Sequence, residues 1–108
     1  MDSTIRYALA AAPEPVIADL LACVDRASES RSPADLSELM RAVRDASRLA
    51  TAIGAAGIDV RRAWAIRAAS WYGYAAALRA GLPVDLRWPI TAAVARRMAE
   101  EALEASRM

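Results

Sequence analysis

The sequence has 108 residues, a length typical of one domain, and its 14 basic and 13 acidic residues leave a net charge of +1 at pH 7. It contains no histidine and no lysine, so every cation is an arginine, and the commonest general base, Schiff-base chemistry and the P-loop lysine are excluded. Because the chain has one cysteine, an intrachain disulfide is impossible and a cysteine-based zinc site lacks ligands, so we expect no metal, no cofactor and no enzyme.

Alanine dominates the composition and favours helices. Of the 108 residues 28 are alanine, so about half of the 56% apolar fraction is this one small residue. Alanine is the best intrinsic helix former. The β-branched and aromatic residues do not alternate with polar ones as strands require. The sequence therefore predicts an all-α fold, a small bundle of four main helices plus a short N-terminal helix, as a single domain over residues 1–108.

Prolines divide the first part of the chain into two helices. Residues 4–12 form a short helix, which Pro13 and Pro15 end. The second helix occupies residues 15–28. Its apolar face, at the spacing of an α-helix, consists of Val16, Leu20, Cys23, Val24 and Ala27.

The third helix has clear signals at both ends. Ser32 suits the N-cap and Pro33 the first helical position. The broad apolar stripe consists of Leu36, Leu39, Met40, Val43, Ala46, Ala50 and Ile53. Gly54 and Gly57 follow, so we expect the helix to end near residue 53 and to form an antiparallel hairpin with the next one.

The fourth helix, over residues 60–80, is the most informative segment. Asp59 suits the N-cap, and Gly81 follows the last turn. One face carries Val60, Trp64, Trp71, Ala75 and Leu78. A second face carries the small residues Ala69, Gly73 and Ala77. Because residues this small let a neighbouring helix approach closely, we expect this helix to be contacted on two sides, to be central in the bundle and to turn its bulky rings inward.

A connector over residues 82–89 leads to the fifth helix. This helix starts near Pro89 or Thr91 and reaches about residue 106. Its apolar stripe consists of Ile90, Val94, Met98, Ala102 and Ala105. The second and fifth helices should pack on the hairpin of the third and fourth, which completes the bundle.

The near-neutral net charge hides an uneven distribution. Residues 1–60 carry a net charge of −3, residues 61–97 carry +6, and residues 98–108 carry −2. Two explanations are open. The acidic second and fifth helices compensate the fourth within the molecule, or the basic segment forms a face for an anionic partner.

The function that the sequence favours is a non-catalytic helical protein–protein interaction or oligomerisation module, such as a small bacterial regulator or adaptor. Its partner would be another protein or a second copy of the chain. Trp, Tyr and Arg are the residue types enriched at binding hot spots. They concentrate in residues 61–97, where Trp88 is the aromatic that we favour for a contact. The interaction candidates are Arg61, Arg62, Arg67, Tyr72, Tyr74, Arg79, Arg87 and Trp88.

Two alternatives belong to other classes. The basic segment 61–97 could bind nucleic acid or another polyanion, with Tyr72 or Trp88 stacking on bases. The isoelectric point near 7.9 is low for such domains, which are often above 9. The last alternative is an enzyme in which an arginine-lined cavity binds an anionic metabolite and acts by electrostatic preorganisation.

The sequence gives no sign of export or of a membrane partner. The first six residues are not a basic leader segment. No run of 18 uncharged apolar residues occurs. We therefore expect a cytoplasmic protein.

Overall fold

The structure, a computed structural model, describes residues 2–108 and the side chains from Thr4 onward. The described chain contains five helices, α1 (Asp2–Ala11), α2 (Pro15–Ser30), α3 (Pro33–Ala56), α4 (Val60–Arg79) and α5 (Ala92–Ser106). Helix α4 contacts each of the other four. The all-α bundle with a short first helix and a central fourth helix is therefore confirmed. None of these helices is both long and apolar enough to cross a bilayer.

Side-chain caps define where the last three helices begin. Ser32 precedes α3, Asp59 precedes α4 and Thr91 precedes α5, and each side-chain oxygen accepts a hydrogen bond from the backbone N–H three residues further on. Helix α3 continues through Gly54 and stops at Gly57, whose φ of 68° is left-handed. The predicted starts of α3 and α4 are confirmed, and α5 begins directly after Thr91 rather than near Pro89, which leaves Ile90 outside it. Helix α3 is one turn longer than predicted because Gly54 is tolerated inside it.

Helix α4 buries small side chains rather than its tryptophans. Its buried residues are Ala63, Ile66, Ala68, Ala69, Ser70, Gly73, Ala75 and Ala77. Trp64 is 39% exposed and Trp71 is half-buried. The prediction that the bulky rings turn inward is therefore wrong. Because α4 has neighbours on several sides, close approach of the backbones favours alanine and glycine at the contacts, and the large rings lie at the margins.

Helix α5 shows the same preference. Ala95, Ala99 and Ala102 are buried, whereas Val94 is 46% exposed and Met98 is 37% exposed. The predicted stripe through Val94 and Met98 is therefore wrong. Ala95 and Ala99 lie one position further along the helix than Val94 and Met98, whereas Ala102 was part of the predicted stripe. The burial of these alanines lets α5 lie close to α4.

Gly73 lies where side chains of α2 and α3 pack directly against the backbone of α4. A Cβ atom built on Gly73 would be 2.8 Å from Val43 Cγ2 and 3.1 Å from Leu20 Cδ2. Next to this contact, the Ser70 hydroxyl donates a hydrogen bond of 3.0 Å to the Val43 carbonyl oxygen. The small face predicted for the fourth helix is thus a real packing surface, and Leu20 and Val43 occupy the space that a side chain at position 73 would need.

Cys23 is buried beside a cluster of charges that joins α2 to α3. Arg41 forms ion pairs with Asp19 at 3.2 Å and with Asp45 at 2.9 Å, and these hydrogen bonds raise the pKa of the guanidinium. The Arg26 guanidinium donates toward Cys23 Sγ at 3.2 Å. Burial and then the charge of Asp19 raise the pKa of the Cys23 thiol, although Arg26 and Arg41 lower it in part.

The raised pKa of Cys23 predicts a loss of stability at alkaline pH. The native thiol keeps its proton to a higher pH than the thiol of the unfolded chain, whose pKa is about 8.5. The stability from the neutral buried thiol is therefore complete at pH 7 and declines as the pH rises above about 8.5. Urea unfolding in reducing buffer from pH 7 to pH 10 should show a steeper decline for the natural protein than for Cys23→Ala. Equal slopes would contradict this cause.

Candidate functional site

The first candidate surface is a groove of about 260 Å³ between α3, α4 and the connector of residues 80–91. We call it the aromatic groove, and it is lined by Val43, Arg44, Ser47, Arg67, Ser70, Trp71, Tyr74, Trp88 and Ile90. Trp71 and Tyr74 meet edge to face, with ring centroids 6.3 Å apart and an interplanar angle of 72°. The indole of Trp88, which the connector supplies, is 66% exposed. The groove thus combines three aromatic rings with two arginines.

The two arginines of the aromatic groove retain capacity for a partner. Arg44 is exposed on α3, and Arg67 is half-buried on α4. The Arg67 guanidinium donates a hydrogen bond of 3.2 Å to Thr51 Oγ1. Among the described side chains, neither arginine forms an ion pair with a carboxylate. The two guanidiniums can therefore bind an anionic group next to the apolar contact that the aromatic rings offer.

The connector extends the apolar surface beyond the groove. Val84 and Leu86 are exposed, the latter to 92%, and they alternate with charged residues on the way to Trp88. The Asp85 carboxylate accepts a hydrogen bond of 2.9 Å from the Arg87 N–H, and the Asp85 carbonyl accepts one of 3.0 Å from the Trp88 N–H. This turn holds Trp88 at the groove. Val84 and Leu86 were not among the predicted interaction residues, although their alternation with charged residues was a usable signal.

The second candidate surface is an open cavity of about 270 Å³ at the end of α2, between α4 and α5. We call it the arginine pocket, and its described lining consists of Val24, Ser28, Arg31, Tyr72, Ala75, Ala76, Arg79, Ala80 and Arg96. At about 100° per residue, the α4 residues of this pocket lie about 140° around the helix from those of the aromatic groove. The two sites therefore lie on different sides of α4.

The eight predicted interaction residues do not form one surface in the described chain. The aromatic groove is lined by three of them, Arg67, Tyr74 and Trp88. The arginine pocket is lined by two others, Tyr72 and Arg79. Arg62 pairs with Glu14 at 2.8 Å, which raises the pKa of the guanidinium. Arg61 donates to the Met108 carbonyl oxygen at 3.0 Å, and Arg87 Nε lies 3.5 Å from Asp85 Oδ1. Part of the basic segment is thus compensated within the chain.

Both sites carry polar side chains that can form hydrogen bonds with a ligand. Their polar groups are guanidiniums and hydroxyls, which recognise carboxylates and phosphates through hydrogen bonds. In residues 2–108, no group of three or more cysteine or acidic side chains is placed to hold a metal ion. No protein-family model matches the chain, and comparisons with the curated proteins and with the solved structures give no match either.

Proposed function

We propose that the chain is a non-catalytic protein-binding module that receives an apolar side chain of its partner in the aromatic groove. One observation carries the proposal, namely the convergence of Trp71, Tyr74 and Trp88 with Arg44 and Arg67 around one groove. Trp, Tyr and Arg are the residues that most often dominate binding energy at protein interfaces. The exposure of Trp88 adds to the argument, because burial of a large ring removes apolar surface from water.

The chemistry of the groove indicates the kind of partner. A segment with a large apolar side chain would pack it against Trp71 and Trp88. A neighbouring aspartate or glutamate of that segment would meet Arg44 or Arg67, whose planar guanidiniums bind carboxylates through two parallel hydrogen bonds. The proposed occupant is therefore a short acidic and apolar segment of another protein. We also propose a cytoplasmic setting, in which Cys23 remains a reduced thiol.

Selection from a random peptide library tests the partner chemistry. Peptides recovered on the natural protein should be enriched in acidic residues beside a large apolar residue. The double variant Arg44→Glu plus Arg67→Glu should recover basic peptides instead, because the charge of the groove is reversed. Arg48→Glu is the matched control, since Arg48 lies on α3 and is exposed outside the described lining of the groove. Failure to recover any peptide, or the same acidic preference in the double variant, would contradict the proposal.

Trp88→Ala should weaken binding of a selected peptide at least about tenfold, which corresponds to about 1.4 kcal/mol. The loss follows from removal of an indole that forms one wall of the groove. Fluorescence polarisation with a labelled peptide measures the change. Trp64→Ala is the control, because Trp64 is an exposed tryptophan of α4 outside the described lining of the groove. An equal loss in both variants would mean that the groove is not the binding site.

The occupant of the aromatic groove could also be a second copy of the chain, and the solution mass distinguishes it from a different protein. Light scattering over a wide concentration range measures the solution mass. A dimer that dissociates in Trp88→Ala would place a second copy in the aromatic groove. A monomer at all concentrations, combined with peptide binding, would support a different protein as partner.

Polyanion binding along residues 61–97 has less support from the geometry. A phosphate backbone is bound by cations that follow one continuous surface. Here Arg67 and Arg79 line separate sites on different sides of α4, and Arg62 is paired with Glu14. This division favours the protein-binding proposal.

A further inference from the structure

One side of helix α4 is left partly exposed by the other described helices. It carries five residues that follow one another at alternating steps of four and three, and we call them the outer line; they are Val60, Trp64, Arg67, Trp71 and Tyr74. At about 100° per residue, the outer line lies between Ser70, which bonds to α3, and Ala68, which is buried. Val60 and Trp64 are exposed, and the other three are half-buried.

The steps of the outer line are those of a coiled-coil seam. Residues that repeat at intervals of three and four let a second helix pack along the first, with side chains of each helix entering gaps in the other. The line runs over residues 60–74, about 21 Å at 1.5 Å per residue, which matches about four turns of a second helix. Trp71 and Tyr74 also line the aromatic groove, so a helix that occupies the groove can continue along α4 to Trp64.

Exposed apolar residues of α5 border the outer line. Around α5, Val94 and Met98 lie on the opposite flank of the buried alanines from Arg96 and Leu103. Arg96 and Leu103 line the cavities beside α2 and α1. Because α5 packs on α4 through the alanines, Val94 and Met98 border α4 on the side away from α2, which is the side of the outer line. A second helix there would cover apolar surface of both α4 and α5.

The central position of the outer line indicates the charge of the partner. Arg67 bonds to Thr51, and no ion pair with a described carboxylate accompanies this bond. A polar residue at a seam position fixes the register of two helices through the group that it meets. Residues 60–84 contain no acidic residue, so α4 of a second copy would offer Arg67 no carboxylate and would add its own arginines. Charge complementarity therefore favours an acidic helix of a different protein.

We infer that the outer line binds an acidic amphipathic helix of a partner protein, an inference that rests on the proposed function and extends its site beyond the aromatic groove. Apolar side chains of that helix pack against Trp64 and Trp71 at two levels of α4, as in other helix-in-groove complexes. An aspartate or glutamate between these two levels accepts paired hydrogen bonds from the Arg67 guanidinium. Burial in this interface explains why the large rings of α4 lie outside the core of the single chain.

Selection from a library of random 18-residue peptides on the full chain tests the shape of the partner. Recovered peptides should carry apolar residues at intervals of three and four, with one acidic residue within the series. NMR shifts of a labelled peptide should become helical when the protein is added. Recovered peptides with a single apolar anchor and no gain of helix would overturn the inference and leave the proposed function in place. Failure to recover any peptide would overturn both.

Trp64→Ala should weaken binding of a recovered 18-residue peptide at least about tenfold, because it removes one of the two indoles of the outer line. The same peptide shortened to the part that occupies the aromatic groove should bind Trp64→Ala and the natural protein equally. Tyr7→Ala is the matched control, since Tyr7 is an exposed aromatic residue of α1. Equal affinity of Trp64→Ala and the natural protein for the full-length peptide would overturn the inference.

A charge exchange tests the position of the acidic residue. The natural protein should prefer the recovered peptide to a version with its acidic residue replaced by arginine, and Arg67→Glu should reverse this preference. Both peptides are compared on the same variant, so a change in its stability does not alter the result. Arg61→Glu is the control, because Arg61 is exposed on α4 outside the outer line and should leave the preference unchanged. An unchanged preference in Arg67→Glu would overturn the inference.

Discussion

Truncation of Leu20 to alanine should lower the free energy of unfolding by about 2–5 kcal/mol. Leu20 is fully buried on α2, and its side chain packs against the α4 backbone at Gly73. The described core has few large side chains that are fully buried, and these are Leu9, Ile17, Leu20, Leu39 and Ile66. Many of the buried core residues are alanines, whose side chains cannot extend into the space that Leu20 leaves. A domain of this size has about 5–15 kcal/mol of stability, so the loss is a large part of the total.

Urea unfolding followed by circular dichroism measures the effect of Leu20→Ala. The midpoint should move to lower urea, while the slope of the free energy against urea stays the same. Leu86→Ala is the matched control, because Leu86 is almost fully exposed on the connector. We expect that control to change stability by less than about 0.5 kcal/mol. A loss below about 1 kcal/mol for Leu20→Ala would show that the core adjusts around position 20.

Replacement of Gly73 by leucine should cost about 3 kcal/mol or more, the upper range for an overpacked core. Even the first carbon of a new side chain would be 2.8 Å from Val43 Cγ2, and Val43 is β-branched and stiff. Gly73→Ala should be milder. The gain of about 1 kcal/mol in helix propensity offsets part of the steric cost, so we expect a net loss of about 1 kcal/mol.

A rescue variant tests the steric origin of the Gly73 effect. Val43→Ala removes the nearest obstructing atom, so Gly73→Ala should cost less in that background than in the natural protein. Gly54→Ala is the control, because a Cβ at that helical glycine would meet its nearest atom, Ala63 Cβ, at 4.0 Å. That change should stabilise the protein by up to about 1 kcal/mol. Additive effects of the Gly73 and Val43 changes would contradict close packing at this point.

The helices and their starts were predictable because their signals are local. Ser32 and Asp59 are followed by helices whose first N–H groups they cap, so a few neighbouring residues determine the boundary. The buried face of α4 was not predictable in the same way. Hydrophobic periodicity predicts burial of the face with Trp64 and Trp71. The helices pack so closely, however, that the face with small residues is the one that is buried. The row of small residues Ala69, Gly73 and Ala77 was the local sign of that choice.

The residue types of the candidate sites could be predicted from the sequence, but the sequence did not show which of these residues lie together in space. Trp88, Tyr74 and Arg67 were identifiable from their chemistry. Their meeting in one groove depends on the path of the connector, which no periodicity indicates. Arg31 was missed, and Arg96 was predicted only as part of the basic segment that could bind a polyanion. Arg31 caps the C-terminal end of α2 and Arg96 lies on α5, and only the packing of both helices against α4 brings them to the same cavity.

At the alanine-lined contacts of α4, substitutions that add volume are expected to be more harmful than substitutions that remove it, which is the opposite of most protein cores. In most cores, shortening a side chain does the damage, because it leaves a void. Apart from Ile66, the buried side of α4 has little to shorten, whereas even one added methyl group at Gly73 meets a neighbour. Random substitution at the other buried positions of this helix would therefore be harmful mainly through gain of volume, so those positions accept only the smallest amino acids.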